Sequence, residues 1–170
     1  MRISKLRGEK RKTLSLIKRV NDETSAFPTD FHNGYWHMHL PASQEFVEHP
    51  QLSKTAKGEI IQSLVDRANH FFSQKPDGED YYVVAAITPE SLWDAQLIVF
   101  KGKEYYSQFF NRNSEYQQWA PLENGETKVN QLNINIPSSF QVLNVSARTV
   151  DEEDGVIEEE ILLIGELPNN

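Results

Sequence analysis

Two apolar runs, Phe140 to Val150 and Val156 to Leu167, are joined by Asp151-Glu-Glu-Asp-Gly155, a five-residue loop of turn-forming residues. No other feature restricts the fold as strongly, because strands joined by so short a loop must pair antiparallel. Closing the hairpin over this loop sets Val150 against Val156. Every later pair keeps the same sum, so Arg148 faces Glu158, Val145 faces Ile161 and Leu143 faces Leu163. A slip of one residue would turn Glu158 or Glu160 toward the aliphatic side chains, which argues against any other register. The Asp-Glu cluster is too short and too poor in ligands for a calcium loop, so it is read as a turn.

The remaining elements follow from hydrophobic period and stop signals. From about residue 9 to 22, Thr13, Leu16, Ile17 and Val20 fall on one side of a helix and Arg11, Lys12, Lys18 and Arg19 on the other. This basic amphipathic helix is expected to dock on the acidic remainder of the chain rather than on nucleic acid or a membrane. Gly34 and Pro41 bound a strand, Tyr35 to Leu40, with Trp36 and Met38 toward the core and Tyr35, His37 and His39 on the opposite face. Ser43 opens a single helical turn through Val47. Ser53 caps the main core helix, about residues 54 to 74, which places His70 on its solvated side. Pro76-Asp77-Gly78 turns the chain into Tyr81 to Ile87, a central strand buried on both faces.

Thr88-Pro89-Glu90 predicts a short helix through Leu92 and Trp93, followed by a strand from Gln96 to Phe100. Beyond Gly102, Tyr105, Tyr106, Phe109 and Phe110 recur at helical spacing and lay an aromatic face on the sheet. Residues 116 to 125 suggest no element, with Trp119 at the core edge. Leu132, Ile134 and Ile136 alternate with Gln131, Asn133 and Asn135, a strand pattern. The order of elements predicts an α+β fold: a mainly antiparallel sheet of five to six strands with two to three packed helices, residues 1–170 forming one domain.

Composition bounds the chemistry. A 170-residue chain with 38% apolar residues is long enough to remove roughly 70% of its unfolded surface from water. The absence of cysteine excludes disulfides and thiolate chemistry and suits a reducing cytoplasm. The basic start lacks the apolar segment of a signal peptide, and no run is long enough to span a membrane. Residues 1 to 20 carry eight basic side chains and one acid, a net of +7, and the other 150 carry nine against twenty-four, a net of −15. An acidic body of this kind attracts a cationic partner. Its carboxylates gather at Asp77 to Asp80 and in Asp151 to Glu160, with Asp151, Glu158, Glu159 and Glu160 the candidate partner contacts.

His37 and His39, two apart on one strand face, are the sharpest candidates for metal ligation, with His32 or Glu45 as a third ligand. Tyr35 beside them is a candidate for proton transfer or partner contact. No His-Glu-x-x-His, Gly-x-Ser-x-Gly or glycine-rich phosphate loop occurs, so neither catalytic residues nor a cofactor is assigned.

Asn-Gly-Tyr-Trp-His-Met-His-Leu-Pro-Ala-Ser-Gln at 33 to 44, Leu-Trp-Asp-Ala-Gln-Leu-Ile-Val-Phe at 92 to 100 and Tyr-Tyr-Ser-Gln-Phe-Phe-Asn-Arg-Asn at 105 to 113 resemble a small bacterial domain-of-unknown-function family, family 3916. The resemblance covers about residues 27 to 113 and implies no activity or catalytic residue. It implies small genes that accompany secreted polymorphic toxins of Gram-positive bacteria, hence an immunity or accessory role. Charge and resemblance together suggest a non-enzymatic protein-binding module, an immunity protein covering a basic toxin domain. The alternative is a metal-dependent enzyme built on His37 and His39.

Overall fold

The computed structural model describes residues 6–115, 117–121 and 132–169. Its elements are α1 (Glu9–Glu23), β1 (Tyr35–His39), α2 (Gln44–Val47), α3 (Lys54–Ser73), β2 (Tyr81–Ile87), a 3-10 turn (Leu92–Asp94), β3 (Gln96–Lys101), α4 (Lys103–Phe110), β4 (Gln117–Pro121), β5 (Gln141–Asp151) and β6 (Gly155–Gly165). All six strands join one antiparallel sheet in the order β1-β3-β2-β6-β5-β4, with the helices packed on its faces: an α+β fold. The terminal hairpin has the register its loop dictates, with Val150 opposite Val156, Arg148 opposite Glu158 and Val145 opposite Ile161. Gly155 adopts φ of +81°, which a tight reversal demands and glycine supplies without strain. β2 lies inside the sheet, and only Tyr82 of its side chains is not fully buried.

Strand alternation divides the core into two faces. On the first, Met38, Val83, Ala85, Leu97, Val99 and Ile164 meet the apolar stripe of α3, where Ile60, Leu64, Val65 and Phe71 are fully buried. Each such burial stabilises by about 1.5–3 kcal/mol. Ser53 caps α3 by accepting a hydrogen bond from the Ala56 amide at 3.1 Å. α1 is fastened to α3 at both ends. Ser53 donates from N and Oγ to the Glu9 carboxylate at 3.0 and 2.8 Å, while Arg67 donates to Thr24 Oγ1 and O at 2.8 and 2.6 Å. The apolar side of α1 thus docks on a helix rather than on acidic surface, and Lys18 and Arg19 pair with Asp22 and Glu23 of their own helix.

On the second face, Val84, Ile98, Phe100, Val145 and Leu163 pack under Tyr106 and Phe109 of α4. Glu166 ties the layers together. Its carboxylate accepts from Lys75 Nζ at 2.5 Å and from the Val83 amide at 2.9 Å, and its carbonyl accepts from Tyr106 Oη at 2.7 Å.

Three expectations are corrected. Thr88 is buried and caps no helix; the eight residues that return the chain from β2 to its neighbour β3 leave room only for a 3-10 turn begun at Ser91. Leu132, Ile134 and Ile136 do alternate and pack on the core, yet they form no strand. That segment crosses α3, where Gln62 substitutes for a partner strand, accepting from Asn135 N at 2.7 Å and donating to Asn135 O at 3.1 Å. Gly58 permits the approach, since a Cβ there would lie 2.9 Å from the Leu132 carbonyl oxygen. His70 is half-buried rather than solvated, with its Nε2 enclosed. Gln131 and residues 122–125 lie outside the described residues, while Trp119, at the edge of the second core, sits on β4.

Candidate functional site

β1 has the two faces that its alternation predicts: Met38 is buried and Trp36 packs edge-on against Phe71 at 5.5 Å, while Tyr35, His37 and His39 are exposed. The register sets Tyr35 beside Phe100, His37 beside Ile98 and His39 beside Gln96. α4 has only eight residues and covers this face in part. Between it and the β1–β3 surface lies a cleft of about 530 Å³, whose further wall is Tyr105, Gln108, Phe109 and Arg112. Gly34, at φ of +76°, lets the Tyr105 ring approach the backbone closely; a Cβ there would collide with that ring.

Within the cleft the two imidazoles stand perpendicular with centroids 5.1 Å apart, and Tyr35 stacks on His37 at 5.6 Å. Burial, and then the neighbouring His39, lower the His37 pKa, favouring its neutral form. The Arg112 guanidinium lies 4.5 Å from the Phe109 ring centre and 5.3 Å from that of Trp119. Burial lowers its pKa, with Tyr35 opposing, but a guanidinium stays cationic at any physiological pH.

The other metal candidates are not brought together. His32 stands outside the cleft with Nε2 3.4 Å from the Asp30 carboxylate, and Glu45 is an exposed residue of α2. Among the described residues, no group of three or more His, Asp or Glu side chains could hold a metal ion. Helical spacing alone places Tyr105 in the core, whereas it is 41% exposed and forms part of the cleft wall. The available signal was that Tyr105, Gln108 and Phe109 share a helical stripe at i, i+3 and i+4.

The acidic residues sit elsewhere, on the β5–β6 hairpin. Asp151 is committed to the turn: its Oδ1 accepts from the amides of Glu153 at 2.7 Å and Asp154 at 3.1 Å, which holds its carboxyl below the usual range. Glu158 and Glu159 are exposed and Glu160 is half-buried. β6 pairs with β5 along its whole length but with β2 only over Leu162–Gly165. Among the described residues, the far side of Gly155–Ile161 therefore has no partner strand.

A family model described as "Protein of unknown function (DUF3916)" matches residues 17–166, a span that contains both the cleft and the hairpin. The chain belongs to the DUF3916 family. No curated protein and no solved structure matches it. Among the described residues of this DUF3916 member, no helix is long and apolar enough to cross a membrane.

Proposed function

We propose that this DUF3916 protein is a non-enzymatic binding module that captures a cationic protein segment along the open edge of β6. The observation that supports this reading is the coincidence of two features: among the described residues, one side of Gly155–Ile161 has no partner strand, and the hairpin concentrates charge. Residues 141 to 165 hold seven carboxylates against a single arginine. An extended peptide adds to such an edge through main-chain hydrogen bonds, and complementary charge raises its association rate. In the bacterial setting that the family resemblance implies, the partner is a basic toxin domain and the protein its cytoplasmic immunity factor.

The test measures association with a basic toxin domain offered as partner. Raising salt from about 0.05 to 0.5 M should slow association more than it speeds dissociation. Glu158→Lys with Glu159→Lys should weaken binding without unfolding the protein; half-buried Glu160 is left in place. An association rate indifferent to both salt and the double reversal would refute the proposal. A second reading, a metal-dependent enzyme, rests on the shared face of His37 and His39, and elemental analysis of the purified protein decides it.

A further inference from the structure

The cleft between β1 and α4 combines two imidazoles with exposed aromatic rings in one lining. The protein carries 25 acidic residues, yet among the described residues that line this cleft none is Asp or Glu. Its polar groups are two imidazoles, a guanidinium and amides. Its apolar groups are Ile98 and four rings, of which Tyr35 on the floor is 38% exposed and Tyr105 on the wall 41% exposed. A volume of about 530 Å³ lies in the range of small-molecule sites. We propose that this cleft binds a small planar organic anion, a carboxylate on an aromatic or conjugated frame.

Each part of such a ligand meets its complement. The flat frame enters between Tyr35 and Tyr105, where ring-on-ring contact is favourable. The carboxylate reaches His37 and His39, whose 5.1 Å centroid separation allows both to donate to one acceptor group. Arg112, held over Phe109 at 4.5 Å, contributes positive field from the wall. The groups that face the histidines are Tyr35 on β1, Tyr105 and Arg112 near α4, and the uncharged Gln96, Ile98 and Phe100 on β3. Glu104, one turn back on α4, accepts a hydrogen bond from Gln108 Nε2 at 3.4 Å and is not part of the lining. Each imidazole carries at least one N–H whatever its charge, so both can donate to the carboxylate, and the Arg112 guanidinium supplies a cation in the same lining.

The experiment is an NMR titration of all five histidines in the intact protein, with EDTA present, using benzoate, inorganic phosphate and benzamide as probes. Benzoate added at constant pH should shift the ring proton resonances of His37 and His39 in a saturable way and leave those of His32, His49 and His70 in place. Benzamide, planar but neutral, should not shift them. His39→Gln should remove most of the benzoate response at His37, and Tyr105→Ala should weaken it at both. A response to phosphate as strong as to benzoate would overturn the planar requirement. Equal small shifts at all five histidines, or none, would overturn the site.

Discussion

The two faces of the sheet are built from the same strands but covered very differently. α3 brings twenty residues and a continuous apolar stripe to one face, with α1 fastened beside it, and leaves Ile60, Leu64, Val65 and Phe71 without solvent access. α4 brings eight residues to the other and leaves the β1 side chains exposed along a cleft. A β-strand must offer every second residue to each face, so a short cover converts half of β1 into surface. The comparison separates the residues that hold the fold together from those available for binding.

The largest effect should come from the covered face. Phe71→Ala, at a site with no exposure, should cost about 3–5 kcal/mol in denaturant unfolding. Phe109→Ala on the cleft side should cost distinctly less, because water already reaches that neighbourhood; equal losses would erase the distinction between the faces. At the seam between the faces, Gly165 has φ of +153°, and a Cβ would run into the Val83 carbonyl. Gly165→Ala should therefore destabilise by about 1–3 kcal/mol from backbone strain alone, read as a lowered unfolding midpoint.

A smaller effect should appear with pH. His37 has a folded-state pKa below its unfolded value, so the unfolded chain takes up its proton first as pH falls below about 6.5. Stability contributed by neutral His37 is present above that value and is lost on acidification through it. His37→Gln should flatten this part of the stability profile, and an unchanged slope would mean that the imidazole is fully solvated. The smallest effect belongs to the hairpin surface: Glu158→Lys and Glu159→Lys should each change stability by no more than about 0.5 kcal/mol.

How far the sequence predicts this molecule depends on where the decisive contacts lie. The hairpin register was legible because a short loop and a two-residue period leave one solution, and the face assignment of β1 followed from the same period. The Leu132–Ile136 segment was not, since alternation reports which side chains are buried and not whether a strand or a helix such as α3 does the burying. Of the cleft, Tyr35, His37 and His39 could be named in advance. Arg112 and Gln108 could not, because their place depends on how α4 crosses β1 and β3, a long-range contact without local signature. The open edge of β6 was equally hidden: its acids were plain in the sequence, but that no strand among the described residues covers it depends on where β2 ends.

If binding belongs to the open edge of β6 while the α3 face serves stability, hydrogen exchange with and without a basic partner should separate the two. In the free protein, amides of β2 should exchange slowly through global unfolding and part of Gly155–Ile161 much faster. On adding the partner, Gly155–Ile161 should gain protection while β2 stays unchanged. Protection that rises instead along Tyr35–His39 and α4, with Gly155–Ile161 indifferent, would contradict the claim and move the protein interface to the cleft.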